Sequence, residues 1–389
     1  MSGVFITAMT RTPFGRFRGK LADIDVVDLG AALLNELMKR DPQARLPDIV
    51  IGGAGLMGGV HLTALRQMLI GSDLPNGTVS IAVDRACCTG MTAISTAFAH
   101  LKTGGGDKAY IAGVESLSNT PLLISRGNER KIASMSLTDP LLLGGRVSPK
   151  TIAQYTSEEA LHYGITREMQ DDWAFASHQK YFMGKGLGLY DNLVFLPPQS
   201  GLSDAADEGP RANSDRQKLA SLPTVNGAET ITAGNAPGLS DGAAGLVLMT
   251  SDAMKAAGVT AIAEVVDRVQ VAGDIQEGTS VPQVAIMRLL ERNCLNIDDI
   301  SVVEINEAFV ATPLVSTALM AKELQTDLDA LRAKTNIYGG SVAIGHPLAA
   351  SGIRVVQQAA SILRLNGGGF ALGAICGGFG QGEAVLIRV

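Results

Sequence analysis

The stretch that decides the fold runs Val79-Ser-Ile-Ala-Val83, Asp84-Arg-Ala-Cys87-Cys88-Thr89-Gly90, then Met91 to Leu101. Its first five residues alternate and are rich in β-branched types, which predicts a strand. Met91, Ile94, Phe98 and Leu101 recur at three- and four-residue spacing, which predicts a helix. Cys87 and Cys88 fall at the junction. Unpaired N–H groups of a helix start favour a thiolate there, so the position suits a cysteine nucleophile. The same pair also fits two small buried thiols, since free cysteine is among the most buried residue types.

Working outward, strand and helix alternate. An opening strand near Phe5 is followed by a helical pattern from Val26 to Met38, a short apolar strand at Ile49–Ile51, a helical stretch at His61–Ile70, the Cys87 unit, and a strand at Ala109–Val114. This rhythm predicts an α/β layered domain with a largely parallel sheet. From about Ser118 to Asp241 it lapses into a proline-rich, charged region with amphipathic helices such as Arg167–Tyr181. It resumes through Ala244–Met249, Ile262–Val271, Val302–Ile305, Phe370–Ile375 and Ala384–Val389. The expected organisation is an N-terminal half from residues 1–118 plus 242–265, an inserted region 119–241, and a C-terminal half 266–389. The halves echo one another. Leu101-Lys-Thr-Gly-Gly-Gly106 precedes one strand as Leu363-Arg-Leu-Asn-Gly-Gly-Gly369 precedes another, the signature of a duplicated unit.

Composition narrows the function. The 389 residues exceed what one core usually serves, and 46% hydrophobic with 18% charged residues describes a packed globular protein. A net charge of −6 argues against a general nucleic-acid or anionic-membrane binder. No stretch has the apolar length of a membrane span, and the N-terminal apolar run is too short for a signal peptide. The four cysteines and five histidines show no zinc-type spacing, so no metal is expected. A reducing cytoplasm is the expected location.

Three loops of the second half carry reactive or glycine-rich segments: Asn306-Glu-Ala-Phe309, Gly339 to Pro347 with His346, and Cys376-Gly-Gly-Phe-Gly-Gln-Gly382. A duplicated fold packed about a pseudo-twofold would bring all three to face Cys87. His346 can then take the Cys87 proton, Cys376 can carry a proton at carbon, and the N–H groups of Gly378 and Cys87 can hold an oxyanion. The alternative is that Cys376 is a buried structural cysteine and His346 a satisfied loop residue. No glycine run fits a phosphate-binding fingerprint.

Taken in order, Arg11-Thr-Pro-Phe-Gly15, Gly113-Val-Glu-Ser116, Gly234-Asn-Ala-Pro-Gly238, Asp241-Gly-Ala-Ala244, Asn306–Phe309, Gly345-His-Pro-Leu348 and Cys376-Gly-Gly378 resemble the thiolases over essentially the whole chain. The resemblance implies a duplicated α/β fold, a five-layered αβαβα core with an inserted loop domain. It implies that Cys87 is acylated by an acyl-CoA, that His346 activates it, that Cys376 is the acid/base at the acetyl α-carbon, and that Asn306 holds a water which, with His346, forms one oxyanion hole. The N–H groups of Cys87 and Gly378 form the other. CoA is implied as a substrate and no cofactor is needed. Arg211 and Leu222 match family contacts near the adenine, Pro237 stands where the family has a serine near pantetheine, and Phe309 is a further implied CoA contact. A homodimer or homotetramer is implied, with Arg126, Arg130 and Lys131 either at an oligomer contact or facing the CoA phosphates.

The chain departs from the family pattern at Cys88-Thr89, where Cys-x-Ser-Gly is usual. It departs also at Phe379 and Pro237, where glycine and serine are usual, and at Thr151–Glu158, which matches poorly. These changes bear on acyl-chain specificity more than on catalysis. The alternatives are a degradative thiolase for longer 3-ketoacyl-CoA chains and a non-catalytic acyl-CoA-binding protein of the same fold. A thiol sensor at Cys87-Cys88 is disfavoured because adjacent cysteines pair only with strain.

Overall fold

The structure, a computed structural model, describes residues 3–41, 46–56, 61–124, 137–142 and 147–389. Arg126, Arg130 and Lys131 lie outside the described residues. Among the described residues nine strands form the main path of the large sheet: β1 (Val4–Arg11), β2 (Ile49–Gly53), β3 (Val79–Ala82), β4 (Lys108–Ser116), β5 (Ser240–Thr250), β6 (Ala263–Ala272), β7 (Ile300–Ile305), β8 (Phe370–Cys376) and β9 (Gln381–Arg388). Their order is β7-β8-β9-β6-β1-β5-β4-β2-β3. β1 and β6 meet edge to edge over only three residue pairs, from Val4↔Val265 to Ile6↔Ala263. On either side of that seam the pattern repeats. β1–β5–β4–β2 and β6–β9–β8–β7 each run antiparallel, antiparallel, then parallel. The two glycine-led strands matched in the sequence, β4 and β8, hold the same place in each half. Where β3 lies on β2, a single parallel bridge from Val303 to Thr335 lies on β7.

The layers follow from residue alternation, because successive side chains of a strand face opposite sides. Ile49 and Ile51 point into the central core while Val50 joins an outer cluster with the helices α1 (Val26–Arg40) and α2 (Ala64–Ile70). In the other half Val385 and Ile387 point inward and Leu386 outward, toward α7 (Val281–Arg292) and α8 (Ala311–Leu324). Between the half-sheets lie α3 (Thr89–Lys102) and α9 (Leu348–Leu365), which touch each other and strands of both halves. That makes five layers. Of the 18 residues of α9, all but Ser361, Arg364 and Leu365 are buried. Gln357 donates to Thr10 and Gly245 of one half, and Gln358 to Glu304 and Gly339 of the other, so no buried amide N–H₂ of this pair is left without an acceptor. The central helices cross where side chains are absent. A Cβ on Gly90 would stand 2.1 Å from the Ala349 carbonyl, and one on Gly352 would stand 2.7 Å from the Met91 nitrogen.

Between β4 and β5 the chain forms α4 (Ile152–His162), α5 (Arg167–Gly186) and α6 (Arg216–Ser221). β5 begins at Ser240, two residues before the expected return at 242, and β6 runs across the 265/266 point at which the halves were expected to part.

Candidate active site

Cys87 sits in a single helical turn, Ala86–Cys88, between β3 and α3. Ala86 has φ +48°, a left-handed value costly for a residue with a Cβ, and the turn is pinned from both sides. The Arg85 N–H donates to the Thr89 hydroxyl and the Cys88 N–H to the Arg85 carbonyl, each at 3.0 Å. The Arg85 guanidinium reaches across to Gln381 and Glu383, both at 2.9 Å, and so ties this turn to the start of β9. Cys88 is fully buried against Gly377, where a Cβ would lie 2.6 Å from its sulfur. The second thiol of the pair therefore has the structural role and Cys87 faces the pocket.

His346 arrives from the other half. Gly345 is left-handed at φ +108°, with no room for a side chain beside Ser240, and the Ser240 hydroxyl accepts from the His346 N–H. This places His346 Nε2 3.2 Å from Cys87 Sγ. On the far side of the ring, Nδ1 lies 2.7 Å from the Ser351 hydroxyl, which itself donates to the Pro347 carbonyl at 3.4 Å. With the serine proton so placed, Nδ1 carries the ring hydrogen and Nε2 presents a lone pair to the thiol. Cys376, at the end of β8, lines the same pocket, as do Gly378, Phe379, Phe309 and Leu348. All three loops thus converge on Cys87.

Electrostatics differ from the thiolate expected at a helix start. Burial pushes the Cys87 thiol well up, reinforced by Cys376 and Glu115 nearby, and pushes Cys376 up to about 12, opposed by a hydrogen bond with Thr312. Burial, with the Arg354 guanidinium, pulls His346 down to about 3. Desolvation outweighs the partial charge of one helix end. The resting pair is a neutral thiol and a neutral imidazole.

Asn306 leaves β7 beside this centre, its N–H donating to the Ala374 carbonyl two residues before Cys376. Its Oδ1 accepts from Ser341 at 2.6 Å and from Arg354 at 2.8 Å. Glu115 lies on the opposite flank, accepting backbone N–H groups of Gly55, Leu56 and Ala349; burial raises its carboxyl to about 7.

Comparison with known proteins agrees over the whole chain. Residues 4–252 match the thiolase N-terminal domain and residues 259–389 the thiolase C-terminal domain. The chain belongs to the thiolase family. A probable acetyl-CoA acetyltransferase of Mycolicibacterium smegmatis is 34% identical over 98% of this chain and 100% of its own. A beta-ketoadipyl-CoA thiolase of Pseudomonas knackmussii is 32% identical over 99% and 98%. The crystal structure of human mitochondrial 3-ketoacyl-CoA thiolase in complex with CoA superposes with a TM-score of 0.91 at 28% identity, covering 100% of this chain and 98% of the other. This thiolase is an acyl-CoA C-acyltransferase.

Three neighbouring pockets that share lining residues lie between its surface and Cys87. Arg211 and Leu222 share the outer end with Lys218; Arg211 also borders the middle section, which shares Ala236, Gly238 and Leu239 with the reaction pocket. Pro237 and Phe309 line the inner end. The four expected CoA contacts thus line these adjoining pockets, Arg211 and Leu222 the outermost and Pro237 and Phe309 the one that holds Cys87. Sequence reading missed Ser351 and Arg354, although both follow His346 on one helix. It also missed Ile152 and Tyr155 of α4, which wall the pocket from the very stretch that matches the family poorly. Their signal was the Thr151–Gln154 capping box, which marks a helix start irrespective of family pattern. At Phe379 the backbone is left-handed, φ +52°, between Gly378 at +51° and Gly380 at +72°, which explains why glycine suits that position.

Proposed function

We propose that this thiolase interconverts acyl-CoA plus acetyl-CoA with 3-ketoacyl-CoA and CoA through an acyl thioester on Cys87. The 3.2 Å approach of Cys87 Sγ to His346 Nε2, in the pocket that also holds Cys376, carries the reading. Both groups start neutral, so the thiol gives up its proton to Nε2 only as sulfur attacks the thioester carbonyl, when the oxyanion draws on the N–H groups of Cys87 and Gly378. CoA departs as a thiolate and takes the Cys376 proton. The resulting Cys376 thiolate, the conjugate base of a thiol raised to about 12, is basic enough to remove an α-proton from acetyl-CoA. The carbanion, its enolate oxygen held by His346 and by a water on Asn306, attacks the acyl-enzyme. Cys87 leaves and recovers its proton from the imidazolium. Every proton is returned, and the reverse sequence is thiolysis.

The apolar inner wall of Ile152, Ile275, Leu348 and Phe379 suits uncharged acyl chains, and the Phe379 ring, where the family has glycine, favours short ones. We further propose a homo-oligomer joined at β3, a sheet-edge strand whose Val79 and Ile81 are 56% and 42% exposed. A cytoplasmic location accords with four free thiols; no helix among the described residues is long and apolar enough to cross a membrane.

Intact-protein mass spectrometry after brief exposure to acetyl-CoA tests the reading. An acetyl adduct present in the wild type and absent in Cys87→Ala is expected. Folded protein that neither takes an adduct nor cleaves acetoacetyl-CoA with CoA would sink it.

A further inference from the structure

Among the described residues two arginines are almost wholly enclosed, Arg11 and Arg354, each about 1% exposed. Arg11 does what a buried guanidinium ordinarily does. It forks onto one carboxylate, with bonds of 2.6 and 2.9 Å to the two oxygens of Asp207. Arg354 does not. Its nearest carboxylate oxygen among the described residues, on Glu304, is 3.6 Å from Nη1, and neither Nη1 nor Nε has a hydrogen-bond partner there. Its two hydrogen bonds both leave from Nη2, to Asn306 Oδ1 at 2.8 Å and to Ser341 Oγ at 2.9 Å. The Ser341 hydroxyl in turn donates to the same Asn306 oxygen at 2.6 Å.

That triangle has a chemical consequence. A guanidinium only donates, so the Asn306 side chain must turn its oxygen toward Arg354 and its Nδ2 away from it. Nδ2 is buried and has no partner among the described residues, an arrangement that costs stability and is retained where the donor serves something else. We propose that Arg354 is a positioning residue for acyl transfer: with Ser341, it locks the Asn306 amide in the one orientation that keeps Nδ2 available to the reacting centre as a donor. Without the guanidinium, Ser341 can either donate to Oδ1 or accept from a flipped Nδ2, and the amide loses its preference. This inference rests on the assignment of Asn306 to the oxyanion hole.

The test is a double-mutant cycle read in kcat and KM. Arg354→Lys keeps a positive charge beside Glu304 but loses the planar donor that meets Asn306 and Ser341 together. It is expected to lower kcat about 10- to 100-fold, the usual range for a residue acting through another, with KM for acetoacetyl-CoA changed less than about twofold. Asn306→Ala alone is expected to lower kcat at least as far. In the Asn306→Ala background, Arg354→Lys is expected to add less than about twofold, because lysine keeps the positive charge that acts on His346 and the contact the substitution breaks, to the Asn306 amide, is already gone. Should Arg354→Lys fail to fold, Ser341→Ala enters the same cycle in its place. Full activity in Asn306→Ala would overturn the oxyanion assignment and this inference with it. Loss in Asn306→Ala, combined with an effect of Arg354→Lys that multiplies in full or falls on KM, would overturn this inference alone.

Discussion

Glu115 at the end of β4 and Cys376 at the end of β8 occupy the same place in the two halves. Glu115 pairs with Gly242 of β5 as Cys376 pairs with Gly382 of β9, and each stands two residues past the matching pair Gly113 or Ala374. Yet one position carries a carboxyl closed over by three backbone N–H groups, and the other a thiol open to the pocket. The helix starts differ in the same way. Ahead of Gly90 stands the thiol of Cys87, and ahead of Gly352 the imidazole of His346. A repeated scaffold supplies two sets of loop ends, and the chemistry comes from filling them differently. The N-terminal half gives Cys87 and a sealed carboxyl, the C-terminal half the imidazole of His346, the second thiol and the amide.

Four changes bear on that contrast. Cys87→Ala removes the proposed nucleophile, and acyl transfer is expected to fall by about 10⁴-fold or more; residual turnover near wild type would mean the N-terminal loop is not the reacting one. Cys376→Ala is expected to cost about 10³-fold in carbon–carbon bond formation. The mass of the Cys87 adduct should still appear after prolonged incubation, which separates the two thiols by step. Phe379→Gly opens the pocket wall and is expected to shift kcat/KM toward longer acyl chains by about tenfold, seen by competition between short and long 3-ketoacyl-CoA substrates.

Glu115→Gln is expected to change turnover least and to reveal itself in stability. The folded carboxyl keeps its proton to about pH 7, whereas an unfolded glutamate releases it near 4.5, so folding takes up a proton between those values. Stability then declines as pH rises through that window and levels off above it. The melting temperature of the wild type should therefore fall relative to Glu115→Gln from pH 4.5 to 7. An unchanged difference would show that Glu115 is not sealed in, and would weaken the contrast with Cys376.

The sequence by itself determined the alternation of strand and helix, the duplication, and the residues Cys87, Asn306, His346 and Cys376. Each is announced locally, by a period of two or of about 3.6, by a glycine beside a reactive side chain, or by a motif short enough to be read along the chain. Only the tertiary structure decided the protonation states and the supporting cast. Thiolate or thiol at Cys87 is a contest between a helix end and desolvation, and burial is set by both halves together. Ser351 and Arg354 look like two more residues of an amphipathic helix until folding sets His346 and Asn306 against them. Phe379 reads in the sequence as a departure from the usual glycine near the reacting centre; its left-handed backbone comes from the turn that closes β8 onto β9. Local order along the chain specifies elements, whereas charge, proton placement and orientation depend on what surrounds a group from every side.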